Sequence, residues 1–137
     1  MIATEVSDIL FGTPQPTRST VNMGVLKQDQ VNIIVHGHNP VVSETLVAAC
    51  QDPEMIKLAE QKGAKAINLA GVCCTGNELM MRHGVPMAGN HLSTELVLVT
   101  GAVEMMIVRF GFGRPCRQRS ATLLFHLELN QRRSSTV

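Results

Sequence analysis

The chain has no tryptophan, no tyrosine and only four phenylalanines among 137 residues. A core made from it must be aliphatic, built from Val, Leu, Ile, Met and Ala. Charge is also scarce, at 17% of residues, and the net charge is only +1. That balance excludes the strongly basic footprint of an electrostatic nucleic-acid binder. No run approaches the roughly 18 uninterrupted apolar residues of a membrane span. Met1-Ile-Ala-Thr-Glu-Val-Ser-Asp8 lacks the basic and apolar regions of a secretory signal. A reducing, cytoplasmic setting is therefore expected. The four cysteines do not form a disulfide framework. Cys73 and Cys74 are adjacent, Cys50 falls on an apolar helical face, and Cys116 lies in a basic tail. In such a setting metal or redox use is the better functional reading of them.

Apolar residues make up 45% of the chain, enough for one domain of ordinary size. The average charge hides a break. Residues 1–108 hold six Lys and Arg against ten Asp and Glu, whereas residues 109–137 hold six Arg against one Glu. The change of sign, and the switch from Lys to Arg, suggest two unlike segments joined near Val108-Arg109.

The first segment reads as alternating elements. Residues 2–11 place Ile2, Val6, Ile9 and Leu10 on one helical face, ended by Gly12. Thr13-Pro-Gln-Pro-Thr-Arg18 is a loop. Val31-Asn-Ile-Ile-Val35 is a buried strand. Asn39 as N-cap and Pro40 open a helix to about Gln51. Asp52-Pro53-Glu54 repeats the device, and Gly63 closes that helix. Residues 66–72 form a second strand, with Cys73-Cys74 at its end. Thr75 and Glu78 match a capping box for a helix that Gly84 ends. Residues 85–92 read as loop, 93–100 as helix, and 103–108 as a third strand. The pattern implies an α/β fold with a Rossmann-like parallel sheet. Ligands of such sheets bind beyond the carboxyl ends of the strands. Both His36-Gly37-His38 and Cys73-Cys74 stand at such ends, and they can meet if their strands are neighbours. After Val108 the pattern fails, leaving an irregular basic tail.

Two imidazoles separated by glycine can bind iron, nickel, zinc or copper. They can equally be held by backbone hydrogen bonds in a turn. Two cysteines at a helix N-terminus are placed to form thiolates, or to pack as small buried hydrophobes. His83 reads as a helix C-terminal cap, and His91 has no evident partner. His36, His38, Cys73 and Cys74 would supply four N/S donors, but adjacent cysteines reach one ion only with strain. An iron–sulfur cluster needs about four cysteine thiolates. The residues alone therefore give an incomplete metal site on an α/β unit.

Several long motifs carry a resemblance. They are Val31-Asn-Ile-Ile-Val-His-Gly-His-Asn-Pro40, Gly63-Ala-Lys-Ala-Ile-Asn-Leu-Ala-Gly-Val-Cys-Cys-Thr-Gly-Asn-Glu78, Met81-Arg-His-Gly-Val-Pro-Met-Ala-Gly-Asn90 and Thr100-Gly-Ala-Val-Glu104. Over residues 1–108 the chain resembles the catalytic subunit of the anaerobic nickel–iron carbon monoxide dehydrogenases. The resemblance implies part of a Rossmann-like middle domain that holds part of a nickel–iron–sulfur cluster. It makes His38 and Cys74 ligands of the cluster's unique iron. Cys73 would sit beside them, not bound to the iron or only transiently so, and His36 would support the ligands from behind or be structural. The implied reaction is oxidation of CO with water to CO2, or its reverse, with electrons passing through 4Fe-4S clusters to a ferredoxin-like acceptor. The family is homodimeric, but the interface residues are not in this sequence.

The sequence departs from the family in three places. The cysteine motifs for the electron-transfer clusters are absent. Arg109-Phe-Gly-Phe112 stands where the next cluster cysteine belongs, and Cys116 does not take over that role. The later cysteine ligands and the catalytic lysine are also missing. These departures suggest an enzyme fragment, inactive alone, with residues 109–137 a non-homologous tail that is out of frame, from a rearranged gene, or disordered. The alternatives are a non-enzymatic remnant, a small metal-binding module, or a relative of the hybrid-cluster proteins.

Overall fold

The computed structural model describes residues 2–38 and 40–109. Residues 110–137, which include Cys116 and nearly all of the basic tail, lie outside the described residues, as does Asn39 with its expected cap.

Four parallel strands form one sheet: β1 (Val31–Gly37), β2 (Ile67–Val72), β3 (Met87–Gly89) and β4 (Met105–Arg109), in the order β3-β2-β1-β4. The chain runs outward from β1 to β3, then crosses back to lay β4 on the other side of β1. The expected Rossmann-like α/β architecture is therefore present. The crossovers are α2 (Pro40–Gln51) with α3 (Pro53–Gln61), α4 (Cys73–His83), and α5 (Thr94–Val99), and α1 (Ile2–Phe11) precedes the sheet. The Asp52 cap forms as its sequence implies, its carboxylate accepting from the Glu54 N–H at 2.9 Å.

Both faces of the sheet are covered, as a parallel sheet requires. One face packs Ile34, Ala70, Val72 and Met106 with Val25, Ala88 and Val97. The other packs Val35 with Val47 of α2 and Leu79 of α4. Ile34 and Leu79 are fully buried. Each side chain of that kind is worth roughly 1.5–3 kcal/mol.

A polar knot fixes the amino end of the sheet. The buried Asn32 side chain donates to the carbonyls of Lys27 and Ala102, both at 2.7 Å, and accepts from the Lys27 N–H at 2.9 Å and Asn68 Nδ2 at 2.8 Å. Glu104 accepts from the Asn32 N–H at 2.6 Å, which ties β4 to β1.

Two expectations are corrected, and one apolar helical face is left in solvent. The loop read over residues 85–92 contains β3, a strand too short for its alternation to be visible. Its register is set instead by backbone bonds with Thr20, Asn22 and Gly71. The apolar stripe of α1 is not buried among the described residues: Ile2 and Ile9 are 79% and 82% exposed. Polar contacts hold α1 instead. Arg82, buried on α4, donates Nε to the Gly12 carbonyl at 2.8 Å and pairs with Asp8 at 3.2 Å. Finally, α4 begins at Cys73, with Val72 as its N-cap and no side-chain cap bond. Thr75 lies inside the first turn, buried, and Glu78 faces Arg82 at 3.4 Å, so the capping box does not form.

Candidate metal centre

The carboxyl ends of β1 and β2 are in register, with His36 opposite Val72. The histidine pair that closes β1 therefore meets the cysteine pair that opens α4. Two local features shape the meeting. Gly37 has φ of +125°, a conformation that only glycine adopts readily, and it breaks the strand alternation. His36 turns inward and is buried, whereas His38 turns outward and is exposed. Cys73 has φ of +66°. A left-handed non-glycine residue is uncommon, and such strain gathers at functional sites.

Gly71 and Gly76 bring α4 onto β2 at backbone distance. A Cβ on Gly76 would lie 2.8 Å from the Gly71 carbonyl carbon. This close approach seats the first turn of α4, and both cysteines with it, against the strand end.

Two donor sets result. One donor atom from each of His38, Cys73 and Cys74 lies within 4.8 Å of the other two, and the same holds for His36, Cys73 and His91. The sequence-predicted pair, His38 and Cys74, thus falls in the outer, more exposed set. The Cys73 thiol lies 3.8 Å from the Cys74 sulfur. The left-handed turn at Cys73 lets adjacent sulfurs approach one point, which an unbroken helix start would hinder. Cys50 is half-buried on α2 and belongs to neither set.

Electrostatics correct one expectation. The α4 dipole was expected to favour thiolate, but the Cys74 thiol is held above its ordinary value. The hydrogen bond with Cys73 is the first cause, followed by burial and the neighbouring Cys73 charge. Burial, and then the charges of His91 and His38, push the His36 imidazole down from its ordinary value. The shift favours the neutral imidazole, the form that binds metal.

Sequence reasoning missed two partnerships. His91, given no partner, places Nδ1 3.4 Å from His36 Nε2. His83 is more than a helix cap, since its Nε2 meets the Glu44 carboxylate, which also faces Arg82. Neither contact follows a sequence spacing. Each joins elements far apart in the chain.

A Rossmann-like sheet with imidazoles and thiols gathered at its strand ends defines an α/β unit equipped with donor sets of the kind that hold metal ions. The chain belongs to the Prismane/CO dehydrogenase family, whose pattern matches residues 1–111. Carbon monoxide dehydrogenase 1 of Methanosarcina mazei is 64% identical over 108 residues, which are 79% of this chain and 17% of that protein. The as-isolated, nickel-free crystal structure of carbon monoxide dehydrogenase from Thermococcus sp. AM4 superposes with a TM-score of 0.75 at 56% identity, covering 79% of this chain and 17% of that one. An acetyl-CoA synthase/carbon monoxide dehydrogenase with NiZn-Fe4S4 and NiNi-Fe4S4 clusters superposes with a TM-score of 0.73 at 56% identity, covering 78% of this chain and 16% of that one. The chain thus spans about a sixth of the length of these relatives. Among the described residues no helix is long and apolar enough to cross a membrane.

Proposed function

We propose that this chain is the part of a carbon monoxide dehydrogenase that supplies His38 and Cys74 to a nickel–iron–sulfur cluster. The observation that carries the proposal is the convergence of His38, Cys73 and Cys74 on one point at the carboxyl ends of β1 and β2. The donor chemistry fits the group: thiolates suit iron–sulfur clusters, and imidazole suits iron and nickel. When bound, such a cluster supplies a Lewis-acidic metal that activates water and a store for the two electrons of CO oxidation to CO2. The chain's own residues do the positioning. Gly37 aims His38 outward, and the Gly71–Gly76 contact fixes where Cys74 stands. A cation at this point would draw the proton from the Cys74 thiol, which its contact with Cys73 otherwise helps retain. His36, buried at the end of β1, stands outside the outer set.

In this reading the remaining cluster ligands, the 4Fe-4S relay, the ferredoxin-like acceptor and the dimer interface belong to the rest of the enzyme. Residues 1–108 are then the cluster-binding unit.

The test is anaerobic reconstitution of the full 137-residue chain with iron, sulfide and nickel. Iron bound per chain should fall at least several-fold in His38→Gln and Cys74→Ser, and not in Cys50→Ser. Equal iron in all three variants overturns the ligand assignment. The chain alone should give no CO oxidation above a metal-only control, and turnover above that control refutes its being a partial site.

A further inference from the structure

The inner donor set is not explained by the ligand roles of His38 and Cys74. We propose that His36, Cys73 and His91 form a separate mononuclear site for a borderline divalent cation such as zinc, cobalt or nickel. Three observations converge on it. First, His36 Nε2 and His91 Nδ1 stand 3.4 Å apart. That is long for a hydrogen bond. It is, however, the separation of two imidazole nitrogens sharing one tetrahedral ion, about 3.3 Å for metal–nitrogen bonds of about 2.05 Å. Second, the Cys73 sulfur completes a trio whose donors all lie within 4.8 Å of one another. Two imidazoles and one thiolate are a donor set for zinc and its neighbours, with a fourth position left for water.

Third, every donor is held by structure that does not depend on a metal. His36 lies on the central strand, in register with Val72 on one side and Val108 on the other. Cys73 follows Val72 directly, and its left-handed backbone directs it at the strand end. His91 opens a one-turn 3-10 helix locked by reciprocal bonds: Asn90 Oδ1 accepts from the Ser93 N–H at 3.1 Å, and Ser93 Oγ accepts from the Asn90 N–H at 2.8 Å. The rings of His36 and His91 are tilted by 52° with centroids 5.5 Å apart, so they are not stacked face to face. Because Cys73 belongs to both sets, the two are coupled. An ion seated on the inner set withdraws Cys73 from the outer one.

Cobalt(II) is the probe, added to the full chain under reducing, anaerobic conditions. One equivalent should bind and produce a sulfur-to-cobalt charge-transfer band. X-ray absorption at the cobalt edge should count two imidazoles and one sulfur. His91→Gln, at an exposed position, should weaken binding at least tenfold without changing the far-UV circular dichroism. His36→Gln should do the same, but its buried position makes His91→Gln the decisive variant. One imidazole with two sulfurs would place the ion on the outer set and overturn the proposal. So would no cobalt binding, or unchanged affinity in His91→Gln. Because the ligand count separates the sets, this test can fail while the roles of His38 and Cys74 stand, and the converse.

Discussion

Gly76→Ala sets two effects of opposite sign against each other. In a helix interior alanine is favoured over glycine by about 1 kcal/mol. At position 76, however, the new methyl carbon would lie 2.8 Å from the carbonyl carbon of Gly71, 2.9 Å from its Cα and 3.3 Å from the Met87 methyl. Met87 can yield, but the backbone of β2, paired on both sides, cannot. Ordinary contact begins near 3.4 Å, so α4 must lift by about 0.6 Å. That lift loosens Leu79, which is fully buried against Val35. Overpacking of this kind costs about 1–3 kcal/mol, and the steric term outweighs the propensity gain. Because the clash is with backbone and not with a flexible side chain, the cost falls in the upper part of that range, about 2–3 kcal/mol, for a net loss of about 1–2 kcal/mol. With a urea slope of about 1.5 kcal/mol per molar, the unfolding midpoint falls by roughly 1 M.

The assay is urea unfolding of the full chain followed by circular dichroism. Gly71→Ala should cost at least as much, because its methyl points into the Gly76 backbone with no helix propensity to offset it. The double variant should cost less than the sum, since one lift serves both methyls. Gly84→Ala is the control. Nothing lies within 4 Å of its methyl, so only the backbone cost of φ +68°, about 1 kcal/mol, remains. A Gly76→Ala chain as stable as the parent, or more stable, refutes the close-packing account.

Asn32→Asp keeps shape but removes both N–H donors from the Lys27 and Ala102 carbonyls, leaving a buried carboxylate facing oxygen. It should cost about 3 kcal/mol or more in the same urea assay, and a loss under about 1 kcal/mol would show the knot to be idle. Arg82→Met should release α1 and leave the Glu44 carboxylate without its guanidinium, costing about 3 kcal/mol. Limited proteolysis should then cut before residue 13 several-fold faster, and an unchanged cutting rate would reject Arg82 as the tether. Burial raises the Cys50 thiol above its ordinary value, so the folded chain keeps that proton to higher pH than the unfolded chain does. The stability linked to it is present below the unfolded value and lost as pH rises through the folded one. Iodoacetamide capture at Cys50, read by peptide mass, should therefore have its pH midpoint above that of the chain in urea, and a midpoint at or below it contradicts this.

The helices and the three longer strands were legible because their signals are local. Asp52-Pro53 caps α3, Gly84 ends α4, and Val31–Val35 is β-branched at four of its five positions. β3 was not legible, because three residues carry no period and its partners lie in the loop before β1 and on β2. The stripe of α1 was legible as a pattern, but its docking was not, since that depends on Arg82, seventy residues away. The outer donor set followed from placing both motifs at neighbouring strand ends. The inner set did not, because His91 reaches His36 only after β3 has been laid beside β2.

Local stability and site geometry pull apart at the start of α4. A helix start chosen for stability would carry a Ser, Thr or Asp cap, and glycine where φ is positive. This one carries Val72 and Cys73 instead, with no cap bond and a left-handed thiol-bearing residue. Strain of that kind costs of order 1–3 kcal/mol and persists only where the surroundings fix it. Here they do so from both sides. Val72, fully buried, anchors the strand end in the core, and the Gly71–Gly76 contact clamps the helix that follows. An uncapped, strained turn held this firmly has no advantage for folding. Its consequence is to bring two adjacent sulfurs within reach of imidazoles from β1 and from the turn after β3. The departure from local rules at residues 72–75 is therefore itself evidence that α4 is placed for its thiols.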